Sequence, residues 1–318
     1  MKKLIKILLA AILFIAGNAY AAGTLADSEK AYNNGNYAVA ISIINPLALK
    51  GDAKAQTFLA WMYQSGKGVT QDYAEAIKWY KLAAEQGNVV AQTNLAGLYH
   101  SGTGITQDYA EAIKLYKLAA EQGDANAQSM LGLNYAEGQG VLKNHTEAVR
   151  WWKLSADQGN ASAQNNLASQ YADGQGVVQD YAEAIRLYKL SAEQGYAIAQ
   201  GNLGQMYYGG KGVVQNYAEA VKWYKLASAQ GLAASQNNLG VMYDKGQGVA
   251  QDYIAAHLWF NLAGAQGING AVENRDLVAK KMTSEQIAQA QKLAQDCLAK
   301  NYKNCLIAPT PTKKKTKK

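Results

Sequence analysis

Residues 71–87 read QDYAEAIKWYKLAAEQG, and nearly the same words return as QDYAEAIKLYKLAAEQG at 107–123 and QDYAEAIRLYKLSAEQG at 179–195. Aligned on the closing glycine, the chain holds six units of 36 residues that begin at Gly51, Gly87, Gly123, Gly159, Gly195 and Gly231 and end at Gln266. Within the quoted stretch, Tyr73, Ala76, Ile77, Tyr80 and Ala84 fall on one side of a helix. Asp72 stands where a carboxylate caps free N–H groups, and Glu75, three residues on, reads as the other half of a capping box. Glu75 and Lys78 have the spacing of a solvated pair worth only a few tenths of a kcal/mol. Gly87 stands where a helix ends on a left-handed residue.

Each unit opens with a second helical pattern, A-x-A-Q-x-x-L-[GA]-x-x-Y, in which Ala127, Leu131 and Tyr135 share one face. Ala60, Ala96, Gly132, Ala168, Gly204 and Gly240 recur at one position of this helix A and suit close approach of a neighbour. A glycine turn of the Gly66-Lys67-Gly68-Val69 type leads into the quoted stretch, helix B. One such pair cannot bury both apolar stripes. Stacked copies share a continuous core, so each repeat is a wall of the next and the end repeats need caps. Residues 24–50 read as an incomplete leading pair with Pro46 near its end, and Thr283-Ser284-Glu285-Gln286 is a capping box opening a last helix towards Lys300. Gln286, Gln289, Gln291, Lys292 and Gln295 supply its polar outer face.

Outside the repeats the chain carries export signals. MKKLIKILLAAILFIAGNAYA, residues 1–21, has lysines ahead of an apolar run and closes on Ala19-Tyr20-Ala21, as a cleavable signal peptide does. The run falls short of the ~20 apolar residues a membrane span needs. The mature chain is therefore expected to be periplasmic or secreted, with no transmembrane segment. The formal charge is +7, but three lysines lie in residues 1–21 and five in 313–318; without them 23 basic residues face 24 acidic ones. A near-neutral body does not suggest nucleic acid. The tail PTPTKKKTKK reads either as a solvated arm or as a contact for an anionic envelope polymer. Cys297 and Cys305 are the two cysteines, and in an oxidising compartment so close a pair reads as a disulfide. Closing that loop stabilises by ~2–3 kcal/mol in the chain-entropy picture.

The chain carries no S-x-x-K, H-E-x-x-H or G-x-S-x-G motif, and its glycine turns follow helices and lack the lysine–serine ending of a phosphate loop. His100, His145 and His257 stand at unrelated positions, and Trp79, Trp151, Trp223 and Trp259 share a packing position with Leu115 and Leu187. Neither catalysis nor a cofactor is expected. Binding is sought instead where the repeats differ. Thr57, Trp61 and Gln64 define a divergent stripe of helix A, continued by sets such as Gly201, Gln205 and Tyr208. Beside it Asn94, Asn166, Asn202 and Asn238 share one position, with Phe58 and Met130 in the other two repeats. An amide both donates and accepts, so the row can hold a peptide backbone or link neighbouring repeats.

The 36-residue period, A-x-A-Q-x-x-L-G-x-x-Y-x-x-G-x-G-V and the closing A-x-x-W-Y-x-x-A-A-x-Q-G resemble the Sel1-like repeats, relatives of the tetratricopeptide repeat, over residues 51–266. The resemblance implies an all-α, α/α solenoid: a right-handed superhelix with helix A on the concave side. The expected layout is a signal peptide (1–21), a helical cap (22–50), six repeats (51–266), a helical cap (267–306) and a basic tail (307–318). The resemblance further implies a non-enzymatic adaptor that binds a protein or peptide on the concave surface, with Trp61, Tyr208 and the asparagine row as candidate contacts. A cysteine-rich branch of the family is linked to penicillin binding, so a β-lactam-binding or hydrolysing envelope protein is one alternative and a cell-wall polymer binder another. This chain lacks that branch's cysteines within its repeats.

Overall fold

The chain is described by a computed structural model covering residues 23–302 and Cys305. The signal segment (1–21) and the basic tail (307–318) lie outside the described residues. Sixteen helices and no strand occupy the described part, and none of these helices is long and apolar enough to cross a membrane. The chain divides into two bodies, residues 1–155 and 156–318.

In the first body, α1 (Leu25–Asn33) and α2 (Tyr37–Leu49) form the leading pair. The helix A/helix B pairs α3 (Ala53–Ser65)/α4 (Tyr73–Glu85), α5 (Val89–Ser101)/α6 (Tyr109–Glu121) and α7 (Ala125–Glu137)/α8 (His145–Asp157) follow. The second body holds α9 (Ala161–Asp173)/α10 (Tyr181–Glu193), α11 (Ala197–Gly209)/α12 (Tyr217–Ala229) and α13 (Ala233–Lys245)/α14 (Tyr253–Ala265). It closes with α15 (Ala271–Ala279) and α16 (Ser284–Ala299). Within each body the repeat helices pack on their neighbours, as in a solenoid, and α16 packs on α14.

Local chemistry explains these boundaries. Helix A is capped by Asp52, Asn88, Asp124 and Asn160 in the first four repeats, each side chain accepting an N–H three residues on. Tyr196 and Leu232 occupy that place in the last two and make no such bond. The turn glycines have the left-handed φ they were expected to need, +68° at Gly66 and +81° at Gly68. The second one also yields space: a Cβ on Gly140 would lie 2.7 Å from Tyr109 Cβ of the preceding repeat. Gln71 closes the turn by donating to the Gln64 carbonyl at 2.8 Å.

Asp72 caps helix B through the N–H groups of Ala74 and Glu75. The reciprocal half of the expected capping box does not form, because the Asp72 N–H already donates to the Tyr63 carbonyl at 3.0 Å. Glu75 instead pairs with Lys78 at 3.0 Å. The two true capping boxes sit on the caps, Thr24 with Asp27 and Thr283 with Gln286.

The repeats are also joined by a buried amide ladder. Gln56, 4 % exposed, donates to the Ala48 carbonyl at 3.2 Å and accepts from Gln86 at 2.8 Å. The same bond links Gln122 to Gln92, Gln194 to Gln164, Gln230 to Gln200 and Gln266 to Gln236. At the end of the second body, α14 is apolar almost all round, with Ala255 and Leu258 where helix B elsewhere carries its Glu and Lys or Arg. α16 packs on it with Ala290, Ala294 and Cys297, one face of the helix. Cys297 and Cys305 stand opposed with Cα atoms 5.1 Å apart, a separation that a disulfide spans.

Candidate functional site

Helix A carries the candidate residues, and their surroundings sort them. The line through Thr57 is not a free surface: Thr57, Ser129 and Asn165 are buried. The reason is that this position meets the next repeat or its own backbone. Thr57 donates to the Ala53 carbonyl at 2.7 Å, Thr93 to Asp124 at 3.2 Å, and Asn165 accepts from Asn202 at 3.0 Å. The Trp61 and Gln64 lines are exposed or half-buried in every repeat and remain accessible.

The asparagine row is half-buried throughout, and each member has a partner within the chain. Asn94 donates to the Tyr80 hydroxyl at 3.3 Å, Asn166 accepts from Asn165 at 3.1 Å, Asn202 donates to Asn165, and Asn238 reaches the Tyr224 hydroxyl. The row continues into α15, where Asn274 donates to Asn237 at 3.5 Å. It therefore links repeats while leaving part of each amide exposed.

Trp61 and Tyr208 lie in different bodies and different surroundings. Trp61 is 36 % exposed and forms an aromatic group with Tyr32 and Phe58, at ring separations of 4.9 and 6.0 Å. Tyr208 packs on Tyr217 at 5.5 Å and joins Gln205, Tyr224, Asn238, Val241 and Met242 around a cavity of about 230 Å³. Of the six candidate contacts, the fold brings only Tyr208 and Asn238 to this common cavity.

The chemistry of this face depends on tyrosines that the apolar pattern of helix B assigns only to the core. Tyr80, Tyr116, Tyr188 and Tyr224 are buried on helix B, yet their hydroxyls have neighbours on helix A. Tyr80 donates to Gln64 at 2.9 Å and Tyr224 to Gln205 at 3.0 Å. A buried tyrosine needs such a partner, so a Tyr rather than Phe in a core stripe was the available signal. Burial pushes the Tyr116 and Tyr188 phenols up to about 12 and those of Tyr80 and Tyr224 higher still. They are neutral hydrogen-bonding groups. His100 packs edge-on to Tyr109 at 5.0 Å, and His257 is buried at the place of Ile77. Among the described residues no three His, Cys, Asp or Glu side chains converge on a metal-sized site.

A uniform helix pair, an amide ladder and left-handed glycine turns recur with the 36-residue period. The Sel1 repeat profile matches residues 53–88, 89–124, 125–160, 161–196, 197–232 and 233–268, about two thirds of the chain. The chain belongs to the Sel1-repeat family. The crystal structure of a Sel1 repeat protein from Oxalobacter formigenes is 34 % identical, covers 76 % of this chain and 100 % of its own, and superposes with a TM-score of 0.71. A protective antigen of uropathogenic Escherichia coli displaying the same repeat fold is 26 % identical over 92 % of this chain and 96 % of its own, with a TM-score of 0.41. A search of curated proteins returned no match. Sel1-repeat proteins generally act as scaffolds for protein interaction, and the fold is typically non-catalytic.

Proposed function

We propose that the chain is a non-enzymatic adaptor, exported to the periplasm or beyond, that binds a segment of a partner protein on its helix-A face. The observation that carries this reading is the face itself. Its scaffold positions repeat, whereas the Trp61 and Gln64 lines vary, stay accessible, and carry mostly neutral amides, aromatics and small side chains. A cavity of about 230 Å³ lies below the usual range for small-molecule sites and suits one side chain of a larger partner. Export rests on residues 1–21, and the Cys297–Cys305 pair is read as a disulfide formed in that compartment.

The test is chemical cross-linking in cells, followed by capture of the tagged mature protein. Trp61→Ala and Tyr208→Ala should each lose partners that the parent chain retains, with helical content unchanged. Partners that cross-link only to helix B or to the caps would overturn the reading. An alkaline phosphatase fusion should be active only with residues 1–21 present, and thiol labelling before and after reduction should report two masked cysteines.

A further inference from the structure

Two places on the helix-A face are built from the same chemical parts in a different order. In the first body, Tyr80 donates to Gln64 at 2.9 Å and accepts from Asn94 at 3.3 Å. In the second, Tyr224 donates to Gln205 at 3.0 Å, and Asn238 reaches the same hydroxyl. Tyr224 and Asn238 are the register equivalents of Tyr80 and Asn94, four repeats on. The glutamine is not: Gln205 stands in the place of Trp61, and Tyr208 in the place of Gln64. The aromatic and the amide have exchanged positions, yet the amide–phenol–amide arrangement is retained.

A phenol hydroxyl has one proton to give, so of the two amides that flank it one must accept and the other donate. This leaves the Gln205 NH2 and the Asn238 carbonyl unengaged by the phenol, on two residues that line the cavity; turning both amides around leaves the opposite pair. Either way one donor and one acceptor remain, beside the apolar flank of Val241 and Met242. Asp244, one turn beyond Val241, is held by Lys281 at 2.7 Å. We infer that the Gln205–Tyr224–Asn238 recess is a specificity pocket for a primary carboxamide, taking a glutamine or asparagine side chain of the partner segment. The inference rests on the adaptor reading and names what that partner must present.

Competing groups fit less well. A leucine side chain covers the free donor and acceptor without partnering them, which weakens its binding relative to a carboxamide. A carboxylate meets the Asn238 carbonyl, and an ammonium meets the Gln205 NH2. A peptide backbone crossing the helix-A surface does not enter a recess whose lining includes Met242, 1 % exposed.

The test uses protein labelled with 13C at the methionine methyls, which places a reporter at Met242. The probes are short peptides identical except for one central residue, Gln, Asn, Glu, Lys, Thr or Leu, with free N-acetylglucosamine as a non-peptide amide. The Gln or Asn peptide should shift the Met242 methyl with an affinity ~3–10-fold above the Leu and Glu peptides, the ratio of one net hydrogen bond. Tyr224→Phe should erase that ratio. This variant should fold, since Phe260 is the equivalent residue of the sixth repeat. Asn238→Met should do the same, as Met130 fills that position in the third repeat. Equal affinities, a preference for Leu, Glu or Thr, a ratio that survives in Tyr224→Phe, or no response at Met242 would each overturn the inference. A stronger response to N-acetylglucosamine would replace it with a saccharide site. Partner cross-links on helix A with no carboxamide at the recess would sink this inference alone, whereas no helix-A cross-links would sink the adaptor reading itself.

Discussion

At Gly132 a single hydrogen in place of a methyl decides the spacing of a helix pair. A Cβ there would lie 2.5 Å from the Trp152 indole, and the indole is pinned because its Nε1 donates to the Ser129 carbonyl at 3.0 Å. Gly132→Ala should destabilise by about 1–3 kcal/mol, the usual cost of overpacking, read as a lower urea midpoint. A second prediction concerns the amide ladder. Gln200 is 4 % exposed and bonds both the Ala192 carbonyl and Gln230. Gln200→Leu keeps the volume roughly constant but removes two hydrogen bonds, while the Ala192 carbonyl keeps the Gly195 N–H and Gln230 keeps the Gly195 carbonyl; a loss of about 1–3 kcal/mol, two net hydrogen bonds, is expected in the same assay. The small position at Gly132 was legible in the sequence because it alternates with alanine. The ladder was not, because A-x-A-Q shows a glutamine without showing that Gln230, 30 residues on, points at it. Likewise the pattern found Tyr208 and Asn238 on an accessible face, but not the helix-B phenol of Tyr224 that lines the same cavity.

Among elements, α14 departs most from its siblings, and the departure explains both an exception and a liability. Leu258 and Ala255 are buried under the terminal helix, so the Glu and Lys or Arg of other helix B copies have no place there. That substitution is readable in the sequence as a helix B with no outward charge. The last helix itself was legible from its capping box, whereas nine-residue α15 lacks a side-chain cap and gave no comparable signal. His257 is the liability. It is 3 % exposed, its Nδ1 has no partner among the described residues, and burial, reinforced by Arg275, holds its pKa below the ordinary 6.5. A depressed pKa means the folded state binds a proton less readily than the unfolded chain. Its neutral-state stability is thus present above pH 6.5 and lost as pH falls below that value. His257→Val, after Val221, should raise the melting temperature, and by more at pH 5 than at pH 8. An equal gain at both would show that packing rather than protonation is responsible.

Across the whole molecule the four buried phenols impose a common alkaline limit. Tyr80 and Tyr116 belong to the first body and Tyr188 and Tyr224 to the second, and desolvation is the largest cause of every shift. Their folded values are raised above the ordinary 10.0. The neutral hydroxyl is the form the fold favours, so its contribution is complete below pH 10 and is lost as the pH rises to about 12 and beyond. Both bodies should therefore unfold together with tyrosine ionisation in that window. Replacing Tyr116 and Tyr188 by Phe should move the alkaline midpoint upward, because a ring without a proton to lose has no linkage to pH. Circular dichroism followed alongside phenolate absorbance tests this. Loss of helix well below the pH at which phenolate appears in that window would point to a different trigger, whereas coincidence of the two in the parent chain and a delayed loss of helix in the double variant would identify these hydroxyls as the groups through which alkaline pH unfolds the repeats.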